Sequence, residues 1–159
     1  INHEEIIYQF KNKNIIKKIS SKRDLLININ RYFDLQLKEL ENSIEQSNQK
    51  DMIFETMMMR FDILQSHRKS IINIFDSFKI KPQELLLIIP SFVESMIMMS
   101  KISKISLKGI KGNLIIKSLL IVYFSSFLVW IKDKSSSLEK TMTSLDSNLN
   151  RANNLLRMF

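Results

Sequence analysis

The chain has 159 residues, 45% of them hydrophobic, a net charge of +8 and no cysteine. A chain of this length buries roughly 70% of its unfolded surface, so it needs no metal or disulfide to fold, and without cysteine it forms no disulfide or thiolate metal site. Two glycines and two prolines punctuate few turns, so the elements are expected to be long.

Charge is uneven along the chain. Residues 1–31 carry a net +4, residues 32–100 a net −3 and residues 101–159 a net +7. Heavy use of Ile, Lys and Asn, with the single alanine Ala152, is what an AT-rich genome produces. The positions of the lysines therefore carry more weight than their number. A basic head on an acidic middle suggests an end that meets a polyanion.

Helical periodicity dominates in chain order. His3 to Phe10 reads as a short helix, Lys11 to Asn14 as a basic break, and Ile15 to Ile19 as a second short helix. Two short helices joined by a tight polar turn make a helix-turn-helix pattern. Ser21 and Asp24 form a start signal. Leu26, Ile29, Phe33, Leu37, Leu40 and Ile44 then predict one long helix to about Ser47. Asp51 opens the next helix, with Ile53, Met57, Phe61 and Leu64 as its stripe, ending near His67. A short helix from Arg68 to Phe78 leads through Lys79–Lys81 to Pro82, a favoured first helical position. That helix runs to about Ser103 with Pro90 as an internal kink. Residues 104–112, holding both glycines, read as a basic loop.

An apolar helix follows from Asn113 to about Lys132. Its apolar run, Ser118 to Ile131, interrupted by Ser125 and Ser126, is fourteen residues long, shorter than the roughly 20 a membrane span needs. Ser136 and Glu139 read as the capping pair of the last helix, with Leu138, Met142, Leu145, Leu149, Ala152 and Leu156 as its stripe. The expected fold class is all-α, and no strand is expected.

Two stretches resemble a known family. Asn14 to Leu26 is similar to the segment that joins the recognition helix to the fourth helix in TetR-type regulators. Ile15, Ile16 and Ile19 take the apolar and aromatic places, and Lys22 the place of a phosphate-contacting lysine. Met57 to Arg68 resembles the fifth helix of a bacterial TetR subgroup. Lys111 to Leu114, Val129 to Asp133 and Thr141 to Asp146 resemble its last two helices. The sequence departs from the pattern at Ile16, where the family has tyrosine, and at Lys11-Asn12-Lys13, where it has a glycine-valine turn. The family's helix before this segment would precede Ile1.

The resemblance implies a TetR-like fold, with a partial DNA-binding head at 1–24 and a helical ligand-binding and dimerisation body at 25–159. It implies a cytoplasmic homodimeric repressor controlled by a small apolar effector. DNA contacts are expected from Lys13, Asn14, Lys17, Lys18, Lys22 and Arg23, which supply a salt-dependent phosphate term. The effector pocket is expected at Met58, Phe61, Phe92, Met96 and Phe124, and the dimer interface at Leu120, Phe127, Trp130, Met142, Leu145 and Leu149. The alternative is a lipid- or isoprenoid-binding protein of the same fold without DNA binding, like the accessory protein of coenzyme Q biosynthesis. Under that reading Lys101, Lys104, Lys108 and Lys111 meet an anionic membrane.

No enzyme motif, metal site or cofactor is expected. His3 and His67 stand far apart with no cysteine to assist them, and His67 reads as a cap or surface contact. Asp62 and Glu94 read as acids paired with Arg60 or Arg68. An apolar effector is expected because no convergent polar groups are visible in the sequence.

Overall fold

The computed structural model describes residues 21–159, and every regular element among them is helical. The elements are α1 (Lys22–Glu39), a 3-10 turn (Glu41–Ser43), α2 (Gln49–Gln65), α3 (Arg68–Ile80), α4 (Pro82–Ile102), α5 (Gly109–Trp130) and α6 (Glu139–Leu156). The expected helices at 1–20, with Lys13, Asn14, Lys17 and Lys18, lie outside the described residues. The domain boundary expected at 24/25 falls inside the first turn of α1.

α1 starts as the sequence suggests, with the Ser21 hydroxyl accepting from the Asp24 N–H at 3.1 Å. It is shorter than expected. The chain tightens after Glu39, leaving Leu40 exposed and Ile44 buried. Continuing the helix would have kept both on one periodic stripe, but the 3-10 turn re-aims the chain so that only Ile44 reaches the core.

α2 is the most enclosed element. Met52, Ile53, Met57, Phe61 and Leu64 are 0–4% exposed, because α2 packs against α1, α4, α5 and α6. Its N-terminus is capped by Asn48, whose side chain accepts from the Asp51 N–H. α3 is a looser element, its buried Ile71, Ile74 and Phe78 being 7–9% exposed.

The loop expected at 104–112 is shorter than that, because α5 begins at Gly109. Gly109 has φ +66°, a left-handed backbone that favours glycine. At Gly112 any Cβ would lie 2.0 Å from the Leu107 carbonyl oxygen, so the loop can fold back on α5 only over glycine. α5 therefore has 22 residues, longer than the fourteen-residue run and long enough for a membrane span. Both α4 and α5 are long and apolar enough to cross a membrane by length and composition, with mean hydropathy 1.7. Here both pack as bundle helices and bury polar side chains, Ser91 and Ser95 from α4 and Tyr123 and Ser126 from α5.

The start of α6 also differs from the Ser136–Glu139 expectation. Asp133, fully buried, accepts from the backbone N–H and hydroxyl of both Ser135 and Thr141 at 2.6–3.1 Å. Its carboxylate thus satisfies a free N–H in the first turn of α6, the task a capping side chain normally performs. Burial opposes the charge, but these four bonds outweigh it and hold the carboxyl well below the usual carboxylate range. The C-terminus of α5 is closed by Arg68, which donates to the Trp130 and Ile131 carbonyls at 2.9 Å and lies over the Trp130 ring.

Candidate functional site: an apolar cavity with a polar wall

Four of the helices diverge around α3 and leave a cavity of about 250 Å³. α1 contributes Leu26, Ile29 and Phe33, and α3 contributes Ile71, Ile74, Phe75 and Phe78. α4 contributes Leu85, Ile88 and Phe92, while α5 contributes Tyr123, Phe124, Phe127 and Leu128. Leu64 and Arg60 of α2 close the inner end. An apolar cavity of about 150 Å³ is known to hold benzene; on that scale this one takes roughly ten non-hydrogen atoms.

One wall is backed by a polar network. Arg60, 1% exposed, donates through Nη1 to Asp34 Oδ1, through Nη2 to Asn30 Oδ1 at 2.7 Å, and through Nε to the Tyr123 hydroxyl at 3.1 Å. Asn30 Nδ2 donates to the Ser91 carbonyl and the Ser95 hydroxyl, and Ser95 donates to Asp34 Oδ2 at 2.8 Å. A buried charge is tolerated only when paired and hydrogen-bonded, and Arg60 meets both conditions. Burial works against its charge, but Tyr123 and Asp34 outweigh that and hold the guanidinium above its ordinary value. Burial likewise pushes the Tyr123 phenol up, so it stays neutral.

These groups converge, contrary to the expectation that no polar cluster exists. They bond mainly to one another, however, and the surface left facing the space is carbon. The chemistry on offer is shape and dispersion with an uncharged wall, since Asp34 compensates Arg60.

Of the five expected pocket residues, Phe92 and Phe124 line the cavity and stack edge-to-face at 4.9 Å. Met58, Phe61 and Met96 do not line it. Phe61 and Met96 are fully enclosed in the core, where Phe61 stacks on Tyr123 at 5.3 Å, and Met58 is partly buried beside them. The gap expected between α2 and α4 is filled by Phe61, Met57 and Met96. The space opens on the α3 side instead.

Of the six expected interface residues, Trp130, Leu145 and Leu149 are fully buried within this chain and so present no surface to a second copy. They close the α5–α6 seam. Leu120 and Phe127 are partly buried and Met142 is 39% exposed. Lys22 is paired with Glu84, and Arg23 Nε reaches the Leu87 carbonyl at 3.4 Å. These two of the six expected DNA contacts therefore tie α1 to α4.

No family model and no curated protein matches this chain.

Asp62 and Glu94 are exposed, and Glu94 pairs with Arg31 rather than with Arg60 or Arg68. Arg60 takes Asp34 instead, and Arg68 the end of α5. The His67 side chain makes no capping hydrogen bond for α3 and meets the Tyr32 and Phe33 rings edge-on. Among the described residues no group of His, Asp and Glu is placed to hold a metal ion.

Proposed function

We propose that this chain is the effector-binding body, with part of the DNA-binding head, of a transcription regulator similar to the TetR type. One observation supports this reading above the others. α1 runs from the end of the basic 1–20 segment directly into the cavity wall, and its first turn is tied to α4, which lines the same cavity. A ligand that shifts the end of α4 carrying Glu84 and Leu87, beyond the Asn30–Ser91–Ser95 bonds that hold α1 to α4 further along, moves the first turn of α1 and whatever precedes it. Such a ligand must bind one arrangement better than the other, and couplings of roughly 1–3 kcal/mol are typical. The cavity calls for an uncharged, mainly apolar molecule of about ten heavy atoms. Pairing of two chains, which sets two heads about one turn of DNA apart, belongs to the same proposal, as does a cytoplasmic location.

A second reading is a lipid- or isoprenoid-binding protein of this fold that does not bind DNA. The engagement of Lys22 and Arg23 with α4 favours it, since those side chains are then not offered to phosphates.

Naphthalene, with ten carbons and no charge, is a suitable probe, and 2-naphthoate is its charged counterpart. The full chain is titrated with each, and then with random duplex DNA at two salt concentrations with and without naphthalene. The regulator reading expects naphthalene to bind more tightly than 2-naphthoate. It also expects salt-sensitive DNA binding that falls with Lys17→Glu and changes several-fold with naphthalene. Naphthalene binding with no DNA binding at low salt supports the second reading and overturns the first. Failure to bind naphthalene overturns the cavity as a ligand site in both. A monomer at micromolar concentration by light scattering removes the pairing.

A further inference from the structure

From Ser95 to Lys132 the chain contains no acidic residue and six lysines. Most of this stretch is α5 and the loop before it. Ile110, Leu114, Lys117, Ile121 and Leu128 recur at intervals of four, three, four and seven, so at 3.6 residues per turn they fall within about 60° of one another. The apolar members of this line are not covered: Ile110 is 82% exposed, Ile121 67%, Leu128 50% and Leu114 45%. Lys101, Lys108, Lys111 and Lys117 are exposed as well, and the ammonium group of none of them forms a hydrogen bond or ion pair among the described residues.

We infer that this outer face of α5 docks on an anionic lipid bilayer, with Ile110, Leu114 and Ile121 entering the headgroup boundary and the lysines meeting the lipid charge. A helix that carries a line of aliphatic side chains flanked by lysines is suited to lie in such an interface. Lysines near an anionic surface each strengthen binding about fivefold. A second copy of the chain fits this face less well. A twofold contact here brings two lysine-bearing helices together, and α5 has no carboxylate to separate the charges. A nucleic acid uses the lysines but leaves three large aliphatic side chains in water.

The line also ends at the cavity. Leu128 lies on both, and the partly exposed Phe124 stands beside it. An apolar ligand dissolved in the bilayer would thus meet the cavity rim where the helix lies on the membrane. The docking itself does not require an occupied cavity or a DNA-binding head, so it stands or falls separately from the function proposed above.

The test is sedimentation of the full chain with vesicles of phosphatidylcholine and phosphatidylserine at 70:30, and with phosphatidylcholine alone, at low and high salt. Binding is expected to the mixed vesicles, weakened by salt. Ile110→Ser with Ile121→Ser, both at exposed positions that leave the core intact, is expected to weaken it at least tenfold. Lys108→Gln with Lys111→Gln and Lys117→Gln is expected to weaken it about a hundredfold. Retention of full vesicle binding by both variants would place the contact elsewhere and overturn the inference, as would absence of binding by the unaltered chain at low salt. A dimer that Ile110→Ser with Ile121→Ser turns into monomers, without change in vesicle binding, assigns the face to a second copy and overturns it too.

Discussion

α2 and α3 are neighbours in sequence, separated by two residues, yet they hold the molecule in opposite ways. α2 is enclosed on several sides, its apolar residues almost inaccessible, and it is bolted by Arg60 to α1 and α5 through directional bonds. α3 has a single apolar face, incompletely covered, that looks into the cavity. A directional polar network fixes one geometry, because any displacement leaves a buried group unpaired. Carbon against open space has no such penalty. The part of the body able to change shape around a ligand is therefore the α3 side, with α2 as the fixed reference. Low burial and few directional contacts are the usual marks of elements that move in binding.

The largest effect is expected from breaking the bolt. Arg60→Met removes the cation and leaves Asp34 as a partly buried carboxylate held only by the Ser95 hydroxyl, with the Tyr123 and Asn30 oxygens without their buried donor. Removing one partner of a buried pair costs about 3–5 kcal/mol, readable as a fall in the urea midpoint. Adding Asp34→Asn to Arg60→Met should restore part of that loss, because it removes the orphaned charge. A double mutant less stable than Arg60→Met alone would mean that Asp34 acts independently of Arg60, and the bolt would not be a unit.

Next come two chemically identical truncations on the two helices. Ile53→Ala on α2, at a site with no exposure, should cost toward the upper part of the usual 2–5 kcal/mol range for such changes. Ile74→Ala on α3, beside existing space, should cost about 2 kcal/mol or less, since fewer neighbours lose contacts. Equal losses in urea unfolding would erase the contrast between the helices.

A third comparison sets the Arg60 network against Asp133, which is held by hydrogen bonds alone, with no cation among its partners. Asp133→Ala removes a cap from α6 and should cost about 0.5–2 kcal/mol. Its pH dependence carries a sign. The native carboxyl lies below its unfolded value, so its contribution is complete above about pH 3.9. It is lost as pH falls from there toward the depressed native value. Asp133→Asn should therefore flatten the fall of stability with acid below pH 4. An unchanged acid limb would show that other carboxylates set it.

The helices themselves were legible because apolar residues at threes and fours leave a clear trace. The end of α1 was not, since Leu40 and Ile44 continue the period while the backbone abandons it. The polar wall was missed for a related reason. Asn30, Asp34, Ser91 and Ser95 are small polar residues of kinds usually assigned to solvent. The available signal was their position: Asn30 sits within the Leu26–Ile29–Phe33 stripe, Ser91 and Ser95 within that of Ile88, Phe92, Met96 and Met99, and each polar pair is spaced by four. Arg60 likewise stands between Met57 and Leu64. Polar residues on an apolar stripe signal a buried network, whereas charge alone does not. Which methionine or phenylalanine faces open space depends on packing volumes that no periodicity encodes, so Phe92 and Phe124 were named alongside Phe61 and Met96 without a means of separating them.

The smallest effect tests the cavity directly. Ile74→Phe adds side-chain volume on the adaptable helix, pointing into the space that Phe75 and Phe124 also border. In a packed core such an enlargement forces neighbours off their rotamers and costs about 1–3 kcal/mol. In an open cavity it adds dispersion contacts, and stabilisation of about 0.5–2 kcal/mol is the usual gain from filling one. The same substitution should abolish naphthalene binding, since the probe and the added ring compete for one volume. The two readouts separate the possibilities. A stabilised variant that still binds naphthalene places the ligand elsewhere. A destabilised variant shows that α3 is pinned as firmly as α2, and the division between a fixed and an adaptable half is then lost.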